Sequence, residues 1–339
     1  MNATPKNAKN VRTANVRKET VPVTVDNFIR AESDHYMGNA VKDGGFGRFH
    51  HNRTPTEIDQ QMVIRMNRDT LYSAAVFDLD AGPVTITMPD ARGRFMSLQV
   101  ITEDHYVPMV VYKPGNVRLT KTRMQTRYVL AAVRILVLPT DAKDVEQVHL
   151  LQDAIRVRQP GGPGTFEVPN WDPMSQSKIR NALLVLAAST GSFANAFGTK
   201  DQVDPVRHLM GSAAGWAGNP DKDARYASVA PLQNDGITIY KLKVKEVPVD
   251  AFWSISVYDE KGYFRKNEHN VYSLNNLTAK KSKDGSIEIQ FGGYDGKTPN
   301  CLPITPGWNY TVRMYRPRKE ILTGKWKFPE AQPAKQAHR

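Results

Sequence analysis

Residues 63–73, VIRMNRDTLYS, bring two arginines, an asparagine and an aspartate into a stretch whose flanks read as strand. In an extended segment Arg65, Asn67, Asp69 and Leu71 share one face, and Met66, Arg68, Thr70 and Tyr72 share the other. A guanidinium, an amide and a carboxylate on one face suit the holding of an oxyanion or the ordering of a water. The same residues also serve an internal network, with Asp69 neutralising Arg65 or Arg68 and Asn67 bonding backbone. A second group is TEDHYV, residues 102–107, where Glu103 and His105 share a face if the chain is extended. They would act as a base and its orienter, or as two ligands of a divalent cation such as Ca²⁺ or Mg²⁺, two being fewer than a metal site ordinarily uses. The third is HHNR, residues 50–53, which places His51 and Arg53 on a polar loop, either solvated or adding to the second group. Tyr258, with Trp253, Tyr263 and Tyr272, offers an aromatic platform or simple core packing.

The elements that must position these residues read as mainly β. From Gln61 to Leu138, runs rich in Val, Ile, Thr, Tyr and Phe are broken by Gly, Pro and Asp, the pattern of an antiparallel sandwich. A helix capped by Thr24 or Asp26 precedes them, ended by Gly44 and Gly45, and helical periodicity returns over 141–157. Asp172-Pro173 and Asp204-Pro205 each pair an N-cap acceptor with proline at the first helical position, predicting two helices. After Ala230 the pattern is β again. The expected organisation is a basic disordered leader at 1–23, an amino-terminal β domain at 24–165, a helical segment at 166–229, a carboxy-terminal β-sandwich at 230–330 and a tail at 331–339. Both β domains are expected to be jelly-roll-like sandwiches.

Composition sets bounds on partners. The chain of 339 residues carries a formal charge of +12. That surplus sits at the ends: Lys6, Lys9, Arg12, Arg17 and Lys18 oppose only Glu19, and eight basic residues from 313 onward oppose Glu320 and Glu330. The body is close to balanced, which argues against a groove specific for nucleic acid. No apolar run is long enough to span a bilayer as a helix, and no signal-type apolar core opens the chain. A single cysteine, Cys301, excludes an internal disulfide framework. No phosphate-binding glycine loop, dinucleotide fingerprint or HExxH motif occurs.

The stretch RMNRDTLYSAAVFDLDAGPVTITMPDARGRFMSLQVITEDHY resembles the amino-terminal module of a bacterial two-domain family catalogued as domains of unknown function 1254 and 1214. FWSISVYDEKGYF, NVYSLNN, DGSIEIQFGG and WNYTVRMYRPRKEILTGKWKFP resemble its carboxy-terminal module. Its Asn-x-Asp-Thr-Leu-Tyr motif falls on Asn67, Asp69, Thr70, Leu71 and Tyr72, its Asn-x-Tyr-Ser on Asn270, Tyr272 and Ser273, and its Tyr-x-Pro on Tyr315 and Pro317. The resemblance implies two β-sandwich domains and export, so a periplasmic or secreted processed form is expected; a chain complete as given would be cytoplasmic.

Two functional readings follow. In the first, an exported hydrolase-like enzyme takes a small polar, phosphate- or carboxylate-bearing substrate in an interdomain cleft. Arg65, Asn67, Arg68, Tyr72, His51, Arg53 and Tyr258 hold the substrate, and Asp69, Glu103 and His105 activate water, with a divalent cation at Glu103 and His105 as an option. In the second, the same polar residues serve a non-catalytic exported ligand-binding or cell-envelope protein. Homo-oligomerisation is left open.

Overall fold

The computed structural model describes residues 19–61, 64–190 and 192–334; the predicted leader lies outside them up to residue 18. By residue 21 the chain is already engaged, the Val21 amide donating to Asn170 O and its carbonyl accepting from Asp172.

Extended segments rich in β-branched and aromatic residues build four sheets, paired two by two, and the strands Met96–Thr102, Tyr128–Leu136, Trp253–Tyr258 and Asn309–Tyr315 are buried on both faces. The first runs in the order His50–His51, Thr70–Asp78, Tyr128–Leu136, Met96–Thr102, Met109–Val111. The second places Val84–Met88 between Gly115–Leu119 and Arg156–Arg158. Leu71, Ala75, Phe77, Leu98, Val100, Val129 and Val133 of the first sheet pack on Val84, Ile86 and Leu119 of the second in one core. The third sheet has the order Ser273–Asn275, Trp253–Tyr258, Asn309–Tyr315, Ala224–Val229, and the fourth Cys301–Leu302, Ile287–Phe291, Tyr240–Val244, Gln332–Pro333. Ile255, Tyr310 and Val312 of the third meet Leu242, Ile289 and Phe291 of the fourth around Trp308. Pairing is antiparallel except between Ile287–Phe291 and Cys301–Leu302. The fold is mainly β, as expected.

The second face of the first sheet is covered by helix. Val76, Ile101, Leu130 and Ala132 alternate with the core residues above and pack on Met37 of the helix Phe28–Lys42 and on Trp216. Asp172 and Asp204 cap the helices Pro173–Ala188 and Pro205–Ala214 through their carboxylates, as their spacing predicts. The helix Ala142–Asp153 takes its cap from Asp141.

Several expectations change. The first helix begins at Phe28 after Asn27, whose Oδ1 accepts from the Thr24 amide, so neither Thr24 nor Asp26 caps it. Residues 224–229, assigned to the helical segment, form an edge strand beside Asn309–Tyr315. The predicted tail starts with Gln332 and Pro333 paired to Lys241 and Tyr240. His50 and His51 pair with Ala74 and Ser73 as a short edge strand in place of a free loop.

Gly45 joins the first helix to the first sheet. Its amide donates to Ala40 O and its carbonyl accepts from the Val76 amide at 2.7 Å. A Cβ there would lie 2.8 Å from Ala40 O and 2.9 Å from Ala74 O, both main-chain atoms of fixed elements. Gly45→Ala is therefore expected to cost roughly 2 kcal/mol of stability, read as a lower urea midpoint at unchanged slope.

Candidate functional site

Residues 64–69, expected as strand, are a strap across the seam between the two sheet pairs. The strand starts only at Thr70, because Asn67 Oδ1 accepts from the Asp69 amide at 2.7 Å and Arg65 sits at φ 51 in the left-handed region. Face alternation from 65 to 71 therefore does not apply. The Arg65 amide donates to Gly262 O at 2.7 Å and its guanidinium to Asn309 Oδ1 at 3.2 Å. Arg68 donates to Thr56 O and lies over the Tyr272 ring. Tyr258 Oη donates to Met66 O at 2.8 Å. Arg313, from the strand Asn309–Tyr315, donates to Arg65 O at 2.6 Å, Met66 O at 3.2 Å, Tyr258 Oη at 2.6 Å and Ser256 Oγ at 3.1 Å. Arg65, Arg68 and Tyr258 thus fasten one half of the molecule to the other.

Asp69 is buried behind this strap. Burial raises its carboxyl above the usual range, against the opposing pull of Ser254, Arg313 and Asn275. Its Oδ2 has no hydrogen-bond partner among the described residues.

Asn67 and Tyr72 meet a different arginine. On the helix-covered face of the first sheet, Tyr72 pairs with Arg134 and Arg134 with Ser97, while Gln99 lies one step along. Arg134 donates to Gln99 Oε1 at 2.5 Å and to Ala217 O at 3.2 Å, and sits over the Tyr72 ring. Asn67 Nδ2 donates to Thr70 Oγ1 at 3.1 Å, to Tyr72 Oη at 3.3 Å and to Tyr315 Oη at 2.9 Å. Burial raises the Tyr72 phenol, but Arg134 and the hydrogen bonds outweigh it and leave it below its ordinary value. Tyr315 is driven well above its own by burial and the nearby Tyr226 and Tyr72. Arg134 and Gln99 went unpredicted, since a charged residue inside RYVLAAVRIL reads as strand and its neighbours depend on register.

The remaining predicted residues do not join this cluster. The strand ends at Thr102 and His105 takes φ 62, so Glu103 and His105 point apart. Glu103 accepts from the Tyr128 amide at 2.8 Å and from Arg30 at 3.2 Å. His105 is fully buried: Nε2 accepts from the Ala217 amide at 2.9 Å, so Nδ1 carries the proton toward Ser212 Oγ at 2.8 Å. Burial and the neighbouring His208 hold its pKa well below the usual value. Both ring nitrogens are committed to structural bonds, and among the described residues no group of three His, Cys, Asp or Glu side chains is placed to hold a metal ion. His51 Nδ1 lies 2.8 Å from Ser73 Oγ, and Arg53 engages His149 O, Gln152 Oε1 and Asp153. His51 thus fastens the edge strand to its neighbour Thr70–Asp78, and Arg53 fastens the following residues to the helix Ala142–Asp153.

An open groove of about 990 Å³ runs along the seam. Its floor is Phe95, Tyr112 and Phe252, with Tyr315 stacked on Phe252 at 4.3 Å between the groove and Asn67. Asp144 in its wall is paired with Arg94, and Asp250 with Arg318. Arg92, Lys113 and Arg316 share the wall with Asp90; Asp223 and Asp250 lie within electrostatic reach of Arg316, whose guanidinium lies 4.9 Å over the Tyr112 ring. Sequence reasoning missed this wall, assembled from positions 90–95, 112–113, 250–252 and 316.

Comparison with known proteins agrees with this division. Residues 46–107 match the model described as "Protein of unknown function (DUF1254)", and residues 227–319 match "Protein of unknown function (DUF1214)". The crystal structure of the VPA0106 protein from Vibrio parahaemolyticus superposes with a TM-score of 0.71 at 18% identity, over 92% of this chain and 98% of that one. An uncharacterized protein from Burkholderia cenocepacia gives 0.51 at 11% identity, over 91% and 86%. No curated protein matches the chain. These likenesses concern the fold.

Beside Glu103, Asp34 accepts from Trp171 Nε1 at 2.8 Å while its buried Oδ1 has no hydrogen-bond partner among the described residues. Burial lifts its pKa from 3.8 to about 6. The folded state thus holds the proton more tightly than the unfolded chain, and stability falls as pH rises from about 4 through 6. Asp34→Asn is expected to stabilise the protein by on the order of 2 kcal/mol at about pH 8. The gain should vanish near pH 4 in paired thermal melts; one that persists there would point to a cause other than charge.

Proposed function

We propose that this chain, which carries an amino-terminal DUF1254 module and a carboxy-terminal DUF1214 module, is a binding protein for a small anionic molecule held in the groove along its seam. The observation that carries this reading is the charge of that groove. Four basic side chains, Arg92, Arg94, Lys113 and Arg316, line it against Asp90, Asp144 and Asp250; Asp144 is paired with Arg94 and Asp250 with Arg318, and Arg316 also has Asp223 and Asp250 within electrostatic reach. Cations over an aromatic floor favour an anion with some apolar surface, since the rings supply contact area and the guanidinium supplies directed donors.

Hydrolysis gains no comparable support. Water activation by Asp69, Glu103 and His105 requires them to converge on one water, yet Glu103 serves Arg30 and Tyr128, His105 serves Ser212 and Ala217, and Asp69 lies behind the strap. The predicted substrate-binding arginines, Arg65 and Arg68, likewise spend hydrogen bonds on Asn309 and Thr56. Binding without turnover is therefore the better reading of the two that the sequence offered.

A thermal-shift screen of small carboxylates and phosphate esters tests the proposal. At least one should raise the melting temperature in proportion to the logarithm of its concentration. Arg316 is exposed, so Arg316→Gln should leave the unliganded melting temperature unchanged and weaken that ligand about tenfold. A panel with no stabilising anion, or an Arg316 variant of undiminished affinity, would count against the groove.

A further inference from the structure

Two arginines are buried to more than nine-tenths among the described residues, Arg134 at 7% exposure and Arg313 at 3%. Arg313 has Asp69 within electrostatic reach. Arg134 has no carboxylate within ion-pair distance among the described residues; its charged-state neighbours are the phenols of Tyr72, Tyr226 and Tyr315. The partly buried arginines at 30, 53, 94, 127, 180 and 225 have carboxylate partners, and those at 68 and 207 donate to main-chain carbonyls. A buried guanidinium served only by neutral groups is costly, and a ligand anion would offset that cost.

The surroundings are built to accept one. The Asn67 amide is fixed in orientation because its Oδ1 accepts from the Asp69 amide. Its Nδ2 therefore donates to both phenol oxygens, Tyr72 Oη and Tyr315 Oη, and leaves each phenol O–H to donate elsewhere. Tyr226, on the edge strand, is 47% exposed and its hydroxyl accepts from Asn219 Nδ2 at 3.2 Å, so this side of the cluster reaches solvent. Ala217, whose carbonyl meets both Arg134 and Gln99, holds φ 65, the left-handed region that disfavours an alanine.

We propose that Arg134, Tyr72 and Tyr226 form a second binding site, separate from the seam groove, for the carboxylate of a small organic acid. One guanidinium matches one negative charge, and its planar fork matches a carboxylate. The phenol hydroxyls donate to the carboxylate, and Asn67 positions Tyr72.

Acetate is the probe, compared with chloride at equal ionic strength on the full chain. Acetate should raise the melting temperature of the unaltered protein beyond the effect of chloride. In an Arg316→Gln background, which weakens the groove and so separates it from this site, Tyr226→Phe should weaken the apparent affinity about fivefold and Arg134→Gln should abolish the difference. Identical responses to acetate and chloride would overturn the proposal, and so would an undiminished acetate response in Tyr226→Phe. If Arg134→Gln fails to fold, Tyr72→Phe takes its place: unchanged acetate affinity in either tyrosine variant rejects the site.

Discussion

The buried Arg313 guanidinium is the constraint on which the seam depends. A charge taken out of water needs its donors satisfied by the protein, or it costs several kcal/mol. Arg313 meets that need with two main-chain carbonyls of the strap, Arg65 O and Met66 O, and with Ser256 Oγ and Tyr258 Oη of its own sheet. Carbonyls of consecutive residues are available to one guanidinium only where the chain is not paired as a strand. The demand of Arg313 and the irregular backbone at 64–69 therefore imply each other, and the left-handed Arg65 belongs to the same solution.

From that docking the rest of the seam follows. With the strap fixed, Asn67 lies against Tyr315, and Tyr315 carries Phe252 and Phe95 on its ring. Leu136, Ala224, Phe252 and Tyr315 close into a small apolar cluster between the two sheet pairs. The groove is what remains outside that cluster, where the loop at 90–95 and the strand end at 316 are held apart by the aromatic rings. Arg316 follows Tyr315 directly, so the residue that seals the interior and the residue that presents a cation to the groove are neighbours in sequence.

How far this was legible in the sequence depends on the range of the interactions. Local chemistry was readable: Asp172-Pro173 and Asp204-Pro205 cap helices because an N-cap bond spans three residues. Strand periodicity at Ile287–Phe291 and Tyr240–Val244 was equally readable. The site was legible in part. Asn67 and Tyr72 belong to a polar cluster, but Arg134, Gln99, Tyr226 and Tyr315 come from four other segments: pairing register brings Arg134 and Gln99 to Tyr72, and docking of the two sheet pairs brings Tyr226 and Tyr315. The error at Glu103 and His105 had a different source. Period-two reasoning presumes that extended backbone continues, and His105 turns into the left-handed region one residue after the polar pair Glu103 and Asp104.

The two buried arginines also bear on what the protein does with charge. Near Arg313 a carboxylate is provided, that of Asp69, whose pKa burial raises against the pull of Ser254 and Arg313. At Arg134 even that is missing, and a tyrosine face, a glutamine oxygen and the carbonyl of an alanine in the left-handed region serve one cation. Stability alone would be served as well by an apolar residue at this position, since replacing a buried charge by packed hydrocarbon is commonly neutral or favourable. Leu130 and Ala132, four and two residues earlier on the same face, show that this sheet face accepts such residues. A cation placed where hydrocarbon would pack, without its own counter-charge and next to a half-exposed phenol, is an arrangement that a bound anion completes.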